Sequence, residues 1–157
     1  MSDSPLVLGI DGGGSRIRVI VCSSPDDIKH QIQVDQPANP NANGYAAAAT
    51  VIQNAVTDCL EEASLTAAQI SAAGIGVAGA EASREAEWLH QTLQPILPQA
   101  KIAIADGDHE TALVGAHGAR QGILLLSGTG SIAYGINTNG DTSRIGGWGW
   151  LLGDEGS

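Results

Sequence analysis

Polar and apolar residues at the start of the chain alternate in the way that is typical of β-strands. Residues 6–10 form an apolar run that ends in a glycine-rich turn, and residues 16–22 begin with alternating arginine and β-branched side chains and continue with β-branched residues. After a turn at residues 24–27, the alternation returns over residues 29–34. A period of two positions is the signature of a strand, so the pattern predicts three strands joined by tight turns.

Helical spacing replaces the alternation after residue 45. Apolar side chains recur every three or four positions over residues 45–63, which predicts a helix with one buried stripe. Further helices are predicted over residues 82–93, where two prolines follow, and over residues 108–117. Residues 35–44, rich in proline and asparagine, are predicted to be a loop. Apolar or small-residue runs predict the remaining strands, at residues 72–77, 101–105, 122–127 and 131–137.

This order of elements predicts an α/β fold with a mixed β-sheet. Antiparallel hairpins come first and alternating helices and strands follow, so antiparallel and parallel strands are expected together, with helices packed on the sheet. A length of 157 residues corresponds to one domain or at most two small ones. Aromatic residues make up only 3% and phenylalanine is absent, so the core must consist of Ala, Val, Ile and Leu.

Acidic residues dominate the charge of the chain. Seventeen Asp and Glu against seven Lys and Arg give a formal net charge of −10. An acidic surface repels phosphate backbones and anionic lipids, so neither nucleic acid nor a membrane is expected as a partner. The only lysines are Lys29 and Lys101, so a phosphate would have to be bound by backbone amides, hydroxyls, arginine or a metal ion.

The cysteines and the start of the chain indicate the compartment. Cys22 and Cys59 have no metal-ligand spacing, and two cysteines cannot build a disulfide framework. This usage fits a reduced intracellular setting. No run of 18 apolar residues and no leader pattern is present, so neither a signal peptide nor a membrane span is predicted. A cytoplasmic protein is therefore expected.

The glycine turn after the first strand is the first candidate site. Gly13 and Gly14 would let backbone amides approach an anion closely, and Ser15 adds a hydroxyl donor. Asp11, at the tip of the strand, could hold Mg²⁺. The pattern is neither a P-loop, because the lysine is missing, nor a dinucleotide fingerprint, because a strand follows. A simple hairpin turn is the structural alternative.

Two later segments repeat this glycine-rich character. Gly128, Thr129 and Gly130 lie between two predicted strands, so the two hairpins could face each other across a triphosphate. Residues 146–157 interleave five glycines with two tryptophans and two carboxylates. A tryptophan beside a carboxylate suits sugar recognition, with a core tryptophan in a loop as the alternative.

A cluster of acids lies between the strand predicted at residues 101–105 and the next helix. Carboxylates at the carboxyl end of a strand lie where α/β proteins place ligands. Asp108 could act as a general base toward a hydroxyl, or it could simply cap the helix that it begins. His109 is expected to be an exposed histidine at the helix start.

Five motifs follow one another in a specific order. They are Asp-Gly-Gly-Gly-Ser, Pro-Ala-Asn-Pro-Asn, Asp-Gly-Asp-His-Glu-Thr-Ala-Leu-Val-Gly-Ala, Ser-Gly-Thr-Gly-Ser, and Gly-Gly-Trp-Gly with Gly-Asp-Glu-Gly-Ser. Together they resemble the N-acetylglucosamine kinase family, the BadF/BadG-type branch of the sugar kinase/Hsp70/actin superfamily. The resemblance spans residues 6–157. It implies a ribonuclease H-like lobe and transfer of the γ-phosphate of ATP to the 6-hydroxyl of N-acetylglucosamine, with Mg²⁺.

The resemblance also implies roles for residues on the phosphate side. Asp11 would match the acid that helps to hold Mg²⁺. The two hairpins would match the two phosphate loops of the family, with loop residues Gly13, Gly14, Ser15, Gly128, Thr129 and Gly130. Arg16 adjoins the first loop and is the best candidate for an arginine that meets phosphate, with a solvated strand-edge arginine as the alternative.

On the sugar side the resemblance implies a second set of residues. Asp108 aligns with the catalytic aspartate, because nine residues from it through Ala116 follow the family pattern, and Asp106 is the alternative if the register is off by two. Asn39 would match a loop asparagine that contacts the sugar. The sugar-binding segment would be matched by Gly147, Trp148, Gly149 and Asp154.

One departure from the pattern leaves the acyl group of the substrate open. Ile132 follows the second loop where mammalian N-acetylglucosamine kinases carry a sugar-contacting asparagine, and residues 79–88 resemble bacterial glucosamine kinases more closely. Glucosamine kinase is therefore an alternative. Two others are an activator ATPase that drives electron transfer to a dehydratase or reductase, and a non-catalytic sugar- or nucleotide-binding module.

The resemblance changes the interpretation of the chain's length of 157 residues. Kinases of the superfamily need a second lobe to contact adenine and close over ATP. Residues 1–157 are therefore expected to be the N-terminal lobe of a chain about twice as long, inactive alone. A homodimer is plausible from the same resemblance.

Overall fold

The computed structural model describes residues 5–128 and 130–147. The chain divides into two compact units, residues 1–108 and residues 109–157. No helix in the described part of the chain is long and apolar enough to cross a membrane.

The first unit is built on a five-stranded mixed sheet. Its strands are β1 (Leu6–Gly12), β2 (Ile17–Ser24), β3 (Asp27–Val34), β4 (Ile70–Val77) and β5 (Lys101–Ile104). Their order across the sheet is β3-β2-β1-β4-β5. The first three strands form antiparallel hairpins, and β4 and β5 run parallel to β1. This mixed sheet with packed helices confirms the predicted fold class.

The helices of the first unit cover the apolar face of that sheet. They are α1 (Pro40–Asn43), α2 (Tyr45–Glu62) and α3 (Ala82–Leu93), with a 3₁₀ turn at Ala67–Gln69. Alternate side chains of β1 and β2 join the buried stripe of α2 in a core whose aliphatic members include Leu8, Ile10, Val19, Val21, Ile52 and Val56. Period-two and period-3.6 patterns thus meet in one core, as the sequence predicts.

The loop predicted for residues 35–44 contains a helical turn, α1, so that prediction was wrong in part. Asn39 is its N-cap, and the Asn39 Oδ1 atom accepts a hydrogen bond of 2.8 Å from the backbone N–H of Asn41. Pro40 follows at the first helical position, where its fixed φ is favourable and its missing N–H costs nothing. The Asn-Pro pair carried this signal in the sequence.

The second unit is a three-stranded antiparallel sheet with one helix. The helix is α4 (Asp108–His117), whose first residue, Asp108, still belongs to the first unit. The strands are β6 (Gly122–Ser127), β7 (Ser131–Ile136) and β8 (Thr142–Gly146), in the order β6-β7-β8. Strand β8 is absent from the elements predicted above, although the Asn-Gly turn at residues 139–140 is typical of a hairpin with a returning strand. A small core of Leu113, Tyr134 and Ile136 fills one face of this sheet.

The opposite face of the second sheet is apolar and exposed. Ile123, Leu125 and Ile145 are 74%, 76% and 77% exposed. Leu125 and Ile145 both pair with Ala133 of the central strand, so they lie in one cross-strand row. The apolar run of residues 122–127 is therefore a strand with one exposed apolar face.

Candidate functional site

The carboxyl ends of the parallel strands of the first unit collect three loops at one edge of the sheet. The Ala78 N–H donates a 2.7 Å hydrogen bond to the Gly12 carbonyl, and the Ala105 N–H donates one of 2.8 Å to the Ile75 carbonyl. These bonds tie the segments that follow β4 and β5 back to the strands beside them. This edge is where open α/β sheets bind ligands.

The β1–β2 hairpin is anchored on one side and open on the other. The Gly13 N–H donates to the Arg16 carbonyl at 2.8 Å, and the Gly13 carbonyl accepts from the Ala38 N–H at 3.2 Å. By contrast, a Cβ atom on Gly14 would meet nothing within 4 Å, and the φ angle of Gly14 is an ordinary one. Folding therefore does not require glycine at position 14, whereas a backbone that approaches a ligand closely would.

Asp11 lies in a polar row that crosses three strands. The backbone register pairs Asp11 with Arg18 and Arg18 with Gln33. The Arg18 Nη1 atom is 3.6 Å from the Asp11 Oδ2 atom, and the Arg18 Nε–H donates a 3.0 Å hydrogen bond to the Gln33 Oε1 atom. The arginine beside the candidate acid is therefore Arg18 and not Arg16, the arginine that adjoins the glycine turn in the sequence.

The electrostatic environment of Asp11 brings Asp108 into the same site. Burial raises the pKa of Asp11, the negative charge of Asp108 raises it further, and the Arg18 guanidinium opposes both effects, with a net increase above the ordinary value. Asp11 and Asp108, which are 97 positions apart in the sequence, thus lie close enough to repel each other.

Asp106 has a structural partner in this loop. Its Oδ1 atom accepts a 3.1 Å hydrogen bond from the Ala82 N–H, at the first turn of α3. This bond satisfies one of the N–H groups that a helix start leaves unpaired. Asp108, in contrast, begins α4 and interacts with Asp11.

The carboxylates fit a magnesium ion that a phosphate chain helps to bind. Mg²⁺ is usually held by one or two carboxylates together with substrate phosphates and water. Within residues 5–128 and 130–147, no group of three or more His, Cys, Asp or Glu could hold a metal ion. Asp11 and Asp108 match the arrangement in which one or two carboxylates bind Mg²⁺ together with substrate phosphates. The Arg18 guanidinium already places a positive charge beside Asp11.

Asn39 is held by the loop that follows β4. Its Oδ1 atom caps α1, and the Asn41 Nδ2–H of the same turn donates a 3.0 Å hydrogen bond to the Gly79 carbonyl. Gly79 has a φ of +72°, and a Cβ atom there would lie 2.5 Å from the Asn41 Nδ2 atom and 2.6 Å from the Asn39 Oδ1 atom. The two asparagines therefore require glycine at position 79.

In the second unit the β6–β7 hairpin adjoins Gly147. The Gly128 N–H donates to the Gly130 carbonyl at 2.9 Å, and the Gly147 N–H donates to the Ser131 carbonyl at 2.7 Å. A Cβ atom on Gly147 would lie 3.1 Å from the Ile132 Cδ1 atom. Ile132 thus lies directly beside Gly147.

Four of the predicted site residues fall outside the described part of the chain. They are Thr129, Trp148, Gly149 and Asp154.

The prediction for His109 was wrong. His109 is only 8% exposed, not on the surface as expected, and its ring packs edge-to-face on Tyr134 at a centroid distance of 4.4 Å. His109 is the second residue of α4, and that position in the sequence does not indicate which face of the helix will pack against the sheet. The buried carboxylate of Glu110 next to it is paired with Arg120.

The two cysteines do not form a site. Cys59 is fully buried on α2, and burial raises the pKa of its thiol to about 11. Its sulfur contacts the Val19 carbonyl at 3.8 Å. Cys22 lies on β2, as predicted, and is half-buried. A buried thiol with a raised pKa is a poor metal ligand, because ligation requires the thiolate.

Comparison with known proteins gives consistent matches over almost the whole chain. The N-acetylmuramic acid/N-acetylglucosamine kinase of Clostridium acetobutylicum is 36% identical over 152 residues, which are 96% of this chain and 49% of that protein. The glucosamine kinase GspK of Vibrio cholerae serotype O1 is 28% identical over 153 residues, again 96% of this chain and 49% of that protein.

The fold matches in the same way. A Chromobacterium violaceum crystal structure described as a "Putative N-acetylglucosamine Kinase" is similar with a TM-score of 0.74 at 26% identity, over 96% of this chain and 51% of that chain. The chain thus spans about half the length of these relatives. The model of one protein family, the BadF/BadG/BcrA/BcrD ATPases, matches residues 8–157. The chain therefore belongs to the BadF/BadG/BcrA/BcrD ATPase family.

Proposed function

We propose that the chain is the N-terminal part of an ATP-dependent amino-sugar kinase that transfers the γ-phosphate of ATP to the 6-hydroxyl of N-acetylglucosamine. The observation that carries the proposal is the pair of carboxylates, Asp11 and Asp108, beside a glycine hairpin at the carboxyl edge of a mixed sheet. The kinase relatives named above support the same reaction class.

Phosphoryl transfer depends on position and charge neutralisation more than on covalent catalysis. Asp108 would accept the proton of the sugar hydroxyl as that oxygen attacks phosphorus. The backbone amides of Gly13 and Gly14 would bind phosphate oxygens, which explains how a lysine-poor chain could bind ATP. Asp11 would hold Mg²⁺, which when bound neutralises charge on the phosphate chain.

The sugar side of the proposed site rests on Asn39 in the first unit. Asn39 is held in place by Asn41 and Gly79 at the same edge of the sheet as Asp11. Ile132 packs against the small core of the second unit and offers no polar atom beside Gly147. This favours no particular acyl group, so glucosamine is the second candidate substrate, and the glucosamine kinase relative supports it.

A coupled ATP/ADP assay of the full-length protein with N-acetylglucosamine, N-acetylmuramic acid, glucosamine and glucose tests the reaction. We expect turnover with an amino sugar, ADP release that depends on Mg²⁺, and a phosphate on oxygen 6 of the product by NMR. Residues 1–157 alone should be inactive, because adenine contacts and closure are proposed to need the rest of the protein. Nucleotide and sugar binding without any turnover would instead identify a non-catalytic binding module.

Replacement of Gly14 by alanine separates folding from phosphate binding. Because a Cβ atom there has open space and an allowed φ, we expect the free energy of unfolding to change by less than about 1 kcal/mol. The KM for ATP should rise about tenfold or more, since the methyl group intrudes where an oxyanion would meet the amides.

The matched control is Gly115→Ala in α4, where a Cβ atom also meets nothing within 4 Å. It should stabilise the helix by about 0.5–1 kcal/mol and leave the KM for ATP unchanged. An unchanged KM in G14A would remove the β1–β2 hairpin from the phosphate site.

A further inference from the structure

Among the described residues, Arg18 is the one cation paired with Asp11, the candidate metal ligand. A hydrogen bond to a neighbouring strand fixes the position of its side chain. Its Nε–H is bound to the Gln33 Oε1 atom at 3.0 Å, and Gln33 in turn donates to the Asp35 Oδ1 atom at 3.2 Å. The cross-strand register places Asp11, Arg18 and Gln33 in one row. This support directs the other end of the guanidinium toward Asp11.

The surroundings of the row explain why a cation is needed there. Asp11 is partly withdrawn from water, and Asp108 adds a second negative charge nearby. Two carboxylates in one place repel each other unless a positive charge lies between or beside them. The chain has only seven lysines and arginines in 157 residues, so a cation at this position is not explained by a generally basic surface.

We propose that Arg18 makes the Asp11 site selective for a metal–nucleotide complex over the free metal ion. The guanidinium opposes a bare divalent cation, which must approach the same carboxylate against a like charge. It favours the complex of the same cation with a nucleotide, because the phosphate chain brings negative charge to the guanidinium. The inference rests on the proposed function and adds a specificity-determining residue to that site.

The geometry allows this double role. The ion pair is 3.6 Å long and the arginine side chain is 55% exposed, so Arg18 can reach a ligand at the rim while its charge stays in contact with water. Its bond to Gln33 uses Nε and leaves the two terminal nitrogens for Asp11 and for an oxyanion. Arg16 precedes β2, outside the strand, and is exposed.

The test compares two binding measurements on the full-length protein. Mn²⁺ alone, followed by electron paramagnetic resonance, reports free-metal binding, and calorimetry with Mg²⁺ and a non-hydrolysable ATP analogue reports binding of the complex. For Arg18→Gln we expect opposite changes: Mn²⁺ binds about three- to tenfold more tightly, and the metal–nucleotide complex binds about three- to tenfold more weakly. Loss of a merely structural contact would weaken both or neither.

Arg84→Gln is the matched control, because it removes the same charge from an exposed ion pair with Glu81 on α3. It should move neither affinity. Arg18→Lys keeps the positive charge but loses the planar guanidinium, so the changes in the two affinities should have the same signs as in Arg18→Gln and be smaller. If R18Q does not fold, the same two measurements on Arg18→Lys test the proposal. Affinities that move together, or not at all, overturn the role of Arg18.

The outcome is distinguishable from failure of the proposed function. A protein that phosphorylates no sugar can still bind Mn²⁺ through Asp11, and the Mn²⁺ measurement then judges Arg18 alone. A wild-type kinase that works, with R18Q indistinguishable from it in both measurements, overturns only the inference about Arg18.

Discussion

Replacement of Asp108 by asparagine in the full-length protein is expected to lower kcat by about 10²–10⁴-fold, the usual contribution of a positioned general base. Asparagine keeps the shape and the helix-capping ability of aspartate but cannot accept the proton of the sugar hydroxyl. The Kd for the sugar should therefore change by less than about threefold, and α4 should keep its stability. Steady-state kinetics and calorimetry with the sugar measure the two quantities separately.

Asp106→Asn distinguishes the two candidate acids in the same loop. The asparagine can still accept the hydrogen bond that the Ala82 N–H donates to Asp106, so this variant should remain folded. If Asp108 is the base, kcat should fall much further in D108N than in D106N. A large fall in kcat for D106N combined with normal turnover for D108N would shift the catalytic role by two residues.

Replacement of Asp11 by asparagine is expected to have opposite effects on catalysis and on stability. Without the carboxylate the site would hold Mg²⁺ poorly, so kcat/KM at subsaturating Mg²⁺ should fall by about 10²-fold or more. Higher Mg²⁺ concentrations should restore part of the loss. Mn²⁺ binding by electron paramagnetic resonance should weaken in parallel, which separates a metal-binding role from a general loss of activity.

The stability effect follows from the sign of the pKa shift. Burial and Asp108 raise the pKa of Asp11 above its ordinary value of 3.8, so the folded protein binds the proton more tightly than the unfolded chain. The ionised group therefore costs stability, and this cost appears as the pH rises above 3.8. In EDTA at pH 7, D11N should have a higher Tm than the wild type, and the difference should shrink near pH 3. A lower Tm at pH 7 would show that the Arg18 pair outweighs burial and repulsion.

The glycine residues illustrate which features a local sequence pattern can predict and which it cannot. The strand–turn–strand arrangement around Gly13 and Gly14 was predictable, because alternation and turn residues act over a few positions. That Gly14 is not needed for folding could not be predicted, since it depends on whether neighbours fill the space of a Cβ atom. The same tertiary information shows that Gly79 is required, because two asparagines from a distant loop occupy that space.

The arginine of the candidate site shows the limit of the pattern more clearly. Arg16 and Arg18 have the same parity on one predicted strand, so alternation places both on one face. Only the hairpin register, which pairs Asp11 with Arg18, decides which of them meets the acid. Proximity in sequence to the glycine loop favoured Arg16, and that criterion misses the cross-strand pairing that governs contacts between strands.

By itself, the sequence determined most of the elements and their order, though not α1 or β8, together with the mixed α/β class and the two glycine hairpins, because these depend on periodicity and turn chemistry within short windows. The tertiary structure alone decided the meeting of Asp11 with Asp108, the capping role of Asp106, the burial of His109 and the exposed apolar face of β6 and β8. The physical reason is that burial and charge pairing depend on residues brought together by strand register and packing, which no local pattern contains.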